Sequence, residues 1–434
     1  MPLGLYISVP FCRTKCSYCN FASDVFSKSA YENYVARLLE DIAATRQLAS
    51  NLECVFEETA DSIYLGGGTP SILDGAQLRR IFGAVRSHFV ITQDAEITVE
   101  CAPGTLTPTL IETLLQCGVN RVSLGVQSFV DQEAQAVGRL HQRSTVLEEI
   151  RRLREAGLVN INIDLIAGLP HQTPESWAFS VSETIAAGVP HASVYMLEVD
   201  DDSRLGRELI AGGARYHAHF VPDDDATADF YQQACETLNA AGIAQYEISN
   251  FARSDFDSPA SEPGKSRVPR PSSAWAGPGP DNQSRHNLKY WTRQPYIGFG
   301  VDAHSMLLAD LQEDERQLAL RFATPDSLDA YMNRAPHTVT PVSAEGAIEE
   351  TFFLGLRLNR GIDLEQLRFL PPSCGTVSQD AAWQSAIQQC VRDGLLEQQR
   401  TILRLTARGR LLSNEVFARF LAEKTEKTKW EPAT

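Results

Sequence analysis

The chain has 434 residues, 43% of them hydrophobic and 22% charged, a balance that supports a large domain with a smaller appendage and excludes fibrous or wholly disordered classes. Its formal charge of −16 excludes a broad nucleic-acid footprint, because neutralising phosphates takes clustered Lys and Arg. No segment reaches the roughly 18 to 20 uninterrupted apolar residues of a membrane-spanning helix. The stretch before Cys12 lacks the basic start of an export signal, and nine cysteines without one point to reduced thiols or metal ligands, so a cytoplasmic location is expected.

In chain order, short runs rich in Val, Ile, Leu and Tyr at 5–9, 62–65, 96–99, 121–124, 160–165 and 192–197 predict six strands. Apolar residues at three- and four-residue spacing predict helices at 31–48, 75–89, 106–116, 144–156, 174–187 and 225–241. Strand alternating with helix predicts parallel βα units. Periodicity alone fits an open sheet or a partial barrel. The barrel is favoured because Gly66 to Thr69, Glu100, Gln127 and Asp164 fall at or just beyond strand C-termini, where barrels of this type assemble their sites.

The expected fold class is therefore α/β, a partial (β/α)6 TIM-like barrel over 1–245, followed by a connecting region at 246–345. Within that region, sixteen of the 31 residues from 254 to 284 are Pro, Ser or Gly, which reads as a flexible loop. Residues 346–422 predict a small, mostly helical domain with helices at 350–358, 388–396 and 407–421 and a strand at 402–405, and 423–434 a polar tail. A winged-helix reading from 403 onward is disfavoured by the acidic balance.

The spacing C-x3-C-x2-C places Cys12, Cys16 and Cys19 on one loop just after the first strand. Iron–sulfur clusters are held by cysteine thiolates and usually by four of them, so three leave one iron open to another ligand. Buried structural cysteines and half of a zinc site are the alternatives that spacing leaves standing.

The stretch from Leu5 to Cys12 followed by this spacing resembles the signature of the radical S-adenosylmethionine (SAM) superfamily, and Gly66-Gly67-Gly68-Thr69-Pro70 resembles its second motif. The resemblance implies a radical SAM barrel with a [4Fe–4S] cluster on Cys12, Cys16 and Cys19, and SAM chelating the open iron, where one electron can cleave it to a 5′-deoxyadenosyl radical. Glycines suit such a site because they let backbone groups approach a small zwitterion closely.

Most of the chain further resembles the branch that holds oxygen-independent coproporphyrinogen III dehydrogenases and HemW-type haem chaperones. The motifs are Glu96-Ile-Thr-Val-Glu100, Gly118 to Phe129, Gly138-Arg139-Leu-His141 and Asn162 to Pro170. By that resemblance Tyr6, Gly67, Gly68, Thr69, Glu100, Gln127, Arg139 and Asp164 contact SAM or shape its pocket, and their amide, carboxylate and guanidinium groups suit its polar atoms.

Two departures from the dehydrogenase pattern favour the HemW type: Phe21 stands where a further cysteine is expected, and only eleven residues precede Cys12. A third feature, Arg285-His286-Asn287-Leu288-Lys289-Tyr290-Trp291, resembles the H-N-x-x-Y-W motif linked to haem in that type, with His286 as the implied ligand. His141 and His304 are further candidates, and His286 also reads as a core histidine beside aromatic residues. At Asp302 the same pattern leads one to expect a small residue such as Gly.

The implied function is binding haem and passing it to acceptor proteins such as respiratory haem enzymes, with transient membrane contact through partners and a homodimer as a possible assembly. The rival is oxidative decarboxylation of coproporphyrinogen III. Nucleic acid is not an expected partner, and no side chain is assigned a catalytic role.

Overall fold

The computed structural model describes residues 1–253, 282–310, 317–367 and 377–421. The Pro/Ser/Gly-rich expectation at 254–284, except for its last three residues, and the tail from 423 lie outside this set. Two compact units divide the described residues. The first takes in 1–253, 282–290, 294–310 and 319–341, and the second 291–293, 317–318, 342–367 and 377–421.

In the first unit the six expected strands are β1 (Leu3–Val9), β2 (Thr59–Gly67), β3 (Val90–Cys101), β4 (Arg121–Gln127), β5 (Ile161–Ala167) and β6 (His191–Met196). They lie side by side in chain order and pair in parallel throughout. The sheet curves into a partial barrel, so that the ends of β2 and β6 face one cavity. It extends beyond the six. β7 (Ile243–Gln245) and β8 (Asn250–Arg253) add antiparallel at the β6 edge. At the other edge, β9 (Tyr296–Phe299) joins β1 in parallel and is followed outward by β10 (His304–Leu308), β11 (Gln317–Ala323) and β12 (Thr338–Ser343). These added strands run to seven residues at most and two of them carry Gly298 or Pro341 within, which leaves their sequence too little periodicity to announce them.

Strand alternation separates two chemistries. Leu5, Ile7, Val9, Ile63, Leu65, Val99, Val122, Leu124, Ile163, Leu165, Ala192 and Val194 are all buried on the face that meets the helices. The opposite face carries Tyr6, Tyr64 and Thr98 in register, then Arg121, Ser123, Asn162, His191, Asp164 and Ser193. The barrel is thus aliphatic outside its wall and polar within.

Three of the covering helices start where the sequence supplies a side-chain cap. Asp74 accepts from the backbone N–H groups of Ala76 and Gln77 at 2.9 Å each, and Gln77 returns a bond to the Asp74 N–H, so Gly75–His88 opens on a capping box. Thr107 and Thr173 cap Pro108–Gln116 and Pro174–Ala186, each with Pro in the first turn.

The second unit packs helices Ala344–Gly355 and Val377–Arg392 with a three-stranded antiparallel sheet of β13 (Ile362–Asp363), β14 (Leu396–Gln399) and β15 (Ile402–Leu405). Phe352 stacks on Phe420 with centroids 4.3 Å apart. Two expectations change here. The helix expected at 388–396 ends at Arg392, because Gly394 turns the chain at φ +69° and Leu396 pairs with Leu405 instead. The helix expected at 407–421 is two short ones, Ala407–Leu411 and Ser413–Ala418.

Leu65 is fully buried on the helix-facing side of β2. Leu65→Ala should lower the unfolding free energy by about 2–5 kcal/mol, measurable by urea denaturation. A change near zero would mean that this face does not form the close-packed core.

Candidate functional site

The cysteine loop leaves β1 at Val9 and is held from several sides by backbone hydrogen bonds. The N–H of Cys12 donates to Asp24, that of Ser17 to Val137, and that of Leu205 to the Ser17 carbonyl, all at 2.8–3.1 Å. The glycine motif at the end of β2 packs directly beneath it. The N–H groups of Gly68 and Thr69 donate to the carbonyls of Val9 and Phe11 at 2.9 and 2.8 Å. A β-carbon at Gly68 would lie 2.8 Å from both of those carbonyl oxygens, and Gly67 sits at φ +98°. Only glycine fits this approach. The Thr69 hydroxyl lies 3.6 Å from the Cys12 sulfur.

Cys12, Cys16 and Cys19 line a single cavity of about 350 Å³ that also takes in Gly67, Gly68, Thr69, Glu100, Gln127, Arg139 and Asp164. Seven of the eight residues expected to serve SAM are therefore gathered at one mouth. Tyr6 is the exception: it lies deeper in the barrel, stacked on Tyr64 at 6.2 Å. The sequence reading missed Tyr18, Tyr64, Ser123, Gly125 and Tyr195, which line the same wall. Period-two alternation from Glu100, Gln127 and Asp164 could have marked Ser123 and Gly125, since these share the inward face. Gly125 leaves room for Arg139, whose guanidinium would lie 2.9 Å from a β-carbon there.

The pocket's polar atoms are incompletely matched by the protein. Gln127 Oε1 and Arg139 Nε are buried with no hydrogen-bond partner among the described residues, and Gln127 is held at φ +69°. Burial raises the Glu100 carboxyl to about 7, against the hydrogen bond it accepts from Tyr64 at 2.8 Å. Burial also raises Asp164, although Ser123 and Asn162 bond its two oxygens at 2.9 and 2.7 Å. Buried donors and acceptors left open in this way fit a polar, charged ligand. Burial pushes the Cys12 and Cys19 thiols up, and ligation of a metal by these thiols would release their protons. Donor set and pocket together fit a cluster with a zwitterion beside it. Among the described residues no three His, Cys, Asp or Glu side chains gather tightly enough to hold a single metal ion.

His286 lies elsewhere. It opens the helix Arg285–Trp291, whose first N–H groups, of Arg285 and His286, donate to the two oxygens of Glu96 at 3.1 and 3.2 Å. Its ring is fully buried, Nδ1 bonded to Ser62 at 3.1 Å and Nε2 to Tyr290 at 2.7 Å, and stacks on Tyr64 at 5.4 Å. The haem role expected of His286 meets an imidazole with both nitrogens engaged, because the residue fills the inner end of the barrel. His141 is buried as well, and His304 is exposed beside Asp302. Asp302 sits at φ +53°, which explains the expectation of Gly there and its tolerance of Asp. Phe21, at 63% exposure, lines the cavity mouth where the dehydrogenase pattern has cysteine.

Curved parallel barrel, three-cysteine loop and glycine cradle define a radical SAM protein. Residues 6–181 match the radical SAM superfamily and 342–412 the HemN C-terminal domain. The chain is 30% identical to the heme chaperone HemW of Mycobacterium tuberculosis H37Rv, over 96% of this chain and 94% of that one. It is 32% identical to the heme chaperone HemW of Synechocystis, over 85% and 81%, and 33% to that of Escherichia coli K12, over 70% of each. The chain belongs to the HemW family. The solved coproporphyrinogen III oxidase HemN of Escherichia coli shares the fold, with a TM-score of 0.74 at 22% identity over 96% of this chain and 90% of that one.

Burial, and next the Lys289 charge, lower His286 to about 3. The unfolded chain binds a proton at about 6.5 that the folded one refuses, so this histidine subtracts up to about 1.4 kcal/mol of stability for each pH unit below 6.5. The stability gap between wild type and His286→Gln should narrow as pH falls from 7 to 4.5. A constant gap by chemical denaturation would show that this imidazole titrates normally.

Proposed function

We propose that this chain binds haem and hands it to acceptor haem proteins, respiratory enzymes among them. It would do so from the cytoplasm, touching the membrane only through partners, with a homodimer as the working assembly. The observation that carries the reading is likeness along nearly the full length to proteins named heme chaperone. Among the described residues no helix is long and apolar enough to cross a membrane, which fits contact through partners.

Cys12, Cys16 and Cys19 would hold the [4Fe–4S] cluster, which supplies one-electron chemistry to SAM when both are bound. Gly67 and Gly68 bring backbone close to the ligand, Thr69 steadies Cys12, and Arg139 and Gln127 offer their open donor and acceptor. Glu100 and Asp164 would bind its hydroxyls and cationic centre. Tyr6 would act from behind, by holding Tyr64 against Glu100.

Glu100 protonated near pH 7 cannot complement a cation. SAM affinity should therefore rise with pH through about 7 in the wild type, by up to about tenfold per unit below that value. In Glu100→Gln the dependence should be flat. Equilibrium binding by filtration at pH 6 to 8.5 checks this, and an equal slope in the variant would remove Glu100 from the contact.

Coproporphyrinogen dehydrogenase activity is the second reading, favoured by the shared fold and the retained cavity. Anaerobically reconstituted protein should bind haem at one equivalent and leave coproporphyrinogen III unconverted with SAM and a reductant. Absence of haem binding would overturn the chaperone reading, and porphyrinogen turnover would establish the enzyme.

A further inference from the structure

Tyr64 meets both the cofactor cavity and the histidine that opens the helix Arg285–Trp291. It shares the inward face of β2 with Ser62 and Gly66. Its ring lies 5.4 Å from that of His286 and 6.2 Å from that of Tyr6, and Tyr6 lies 6.3 Å from His286, so the three rings close a triangle. Ser62 and Tyr290 fix the imidazole corner through its two nitrogens. On its other side Tyr64 lines the cavity and donates from its hydroxyl to Glu100 Oε1 at 2.8 Å. Two glycines leave room for this arrangement. A β-carbon at Gly66 would lie 2.9 Å from Tyr64 Cε1 and 3.0 Å from Glu100 Cδ and Oε1, and one at Gly4 would lie 3.2 Å from His286 Cε1 and from Ser62 Oγ.

The groups that face Glu100 are Asp164, Arg139 and the phenols of Tyr6, Tyr64, Tyr195 and Tyr290. Burial and the Asp164 charge favour its protonated form, whereas the Tyr64 hydrogen bond, the Gly67 N–H and Arg139 favour the carboxylate. Among the groups that hold it ionised, Tyr64 has the largest effect. Burial pushes the Tyr64 phenol well above its ordinary value, so it keeps its proton and donates to the carboxylate. A hydrogen bond to an ionised acceptor is stronger than one to a neutral carboxyl, so this contact favours charge on Glu100.

We infer that Tyr64 is a positioning residue for SAM binding: its hydroxyl holds Glu100 as a carboxylate at the cavity wall, and His286, from the inner end of the barrel, holds the phenol in place. The inference rests on the reading of Glu100 as a SAM contact given above. It gives the helix Arg285–Trp291 a task in cofactor binding that needs no open ligand on His286.

The test is equilibrium binding of SAM to the cluster-loaded protein by filtration from pH 6 to 9. It compares wild type, Glu100→Gln, Tyr64→Phe, His286→Gln and the double variant Y64F/H286Q. In Tyr64→Phe the pH through which affinity rises should move up by about one unit, which makes binding at pH 7 about fivefold weaker. By pH 9 its affinity should come within about twofold of wild type, because Glu100 is then ionised without help. His286→Gln should shift the profile in the same direction, and the double variant no further than Tyr64→Phe alone. Melting and iron content check every variant. In SAM-free protein the infrared band of the protonated carboxyl, assigned by its loss in Glu100→Gln, should show the same upward shift in Tyr64→Phe. An unmoved profile in Tyr64→Phe, or equal weakening at every pH, overturns the inference and leaves the Glu100 contact standing. Additive shifts in the double variant overturn the part given to His286. A slope in Glu100→Gln equal to that of wild type overturns the contact and the inference together.

Discussion

The carboxylate of Glu96, buried inside the barrel and closing the N-terminus of the helix Arg285–Trp291, is the contact on which much of the interior depends. A barrel lined with Tyr, Ser, Thr, Asn, Asp and Arg must satisfy those groups internally, because each buried polar atom left unpaired costs about 1–3 kcal/mol. Glu96 binds two N–H groups that the helix itself cannot satisfy, and a negative charge at that end also meets the helix dipole. Lys289, on the same helix, is buried against Asp61 at 2.7 Å and the Pro2 carbonyl at 2.9 Å. The helix thereby becomes part of the barrel wall chemistry.

From that plug a column of aromatic and polar groups runs to the cofactor cavity. His286 stacks on Tyr64, and Tyr64 donates to Glu100, which lines the pocket. A second network, Tyr246–His191–Asn162–Asp164, reaches the same cavity through bonds of 2.9, 2.6 and 2.7 Å. Such chains fix orientation because each member is held by the next. The motif around His286 therefore does structural work at the inner end of the barrel while its influence extends to the SAM side.

At the mouth the balance is reversed. There the protein leaves Gln127 Oε1 and Arg139 Nε unpaired and holds Glu100 in a medium that disfavours its charge. These are local costs to stability that a bound, charged cofactor would offset.

The sequence by itself determined the six parallel strands, the three-cysteine spacing and the glycine run, because alternation, spacing and a backbone only Gly can adopt are local; the family resemblance it carries named eight residues for SAM, seven of which the fold brings to one cavity. What only the tertiary structure decided depends on contacts between residues far apart in the chain. Tyr6 and Tyr64 belong to one column only once β1 and β2 pair in register. The two ring nitrogens of His286 are bonded to Ser62, 224 positions away, and to Tyr290. The strands beyond the sixth form where neighbours supply the hydrogen bonds their short runs do not advertise. His171 and His217, 46 positions apart, meet only when the loops after β5 and β6 fold over the same rim, and no spacing in the sequence announces a pair made by folding.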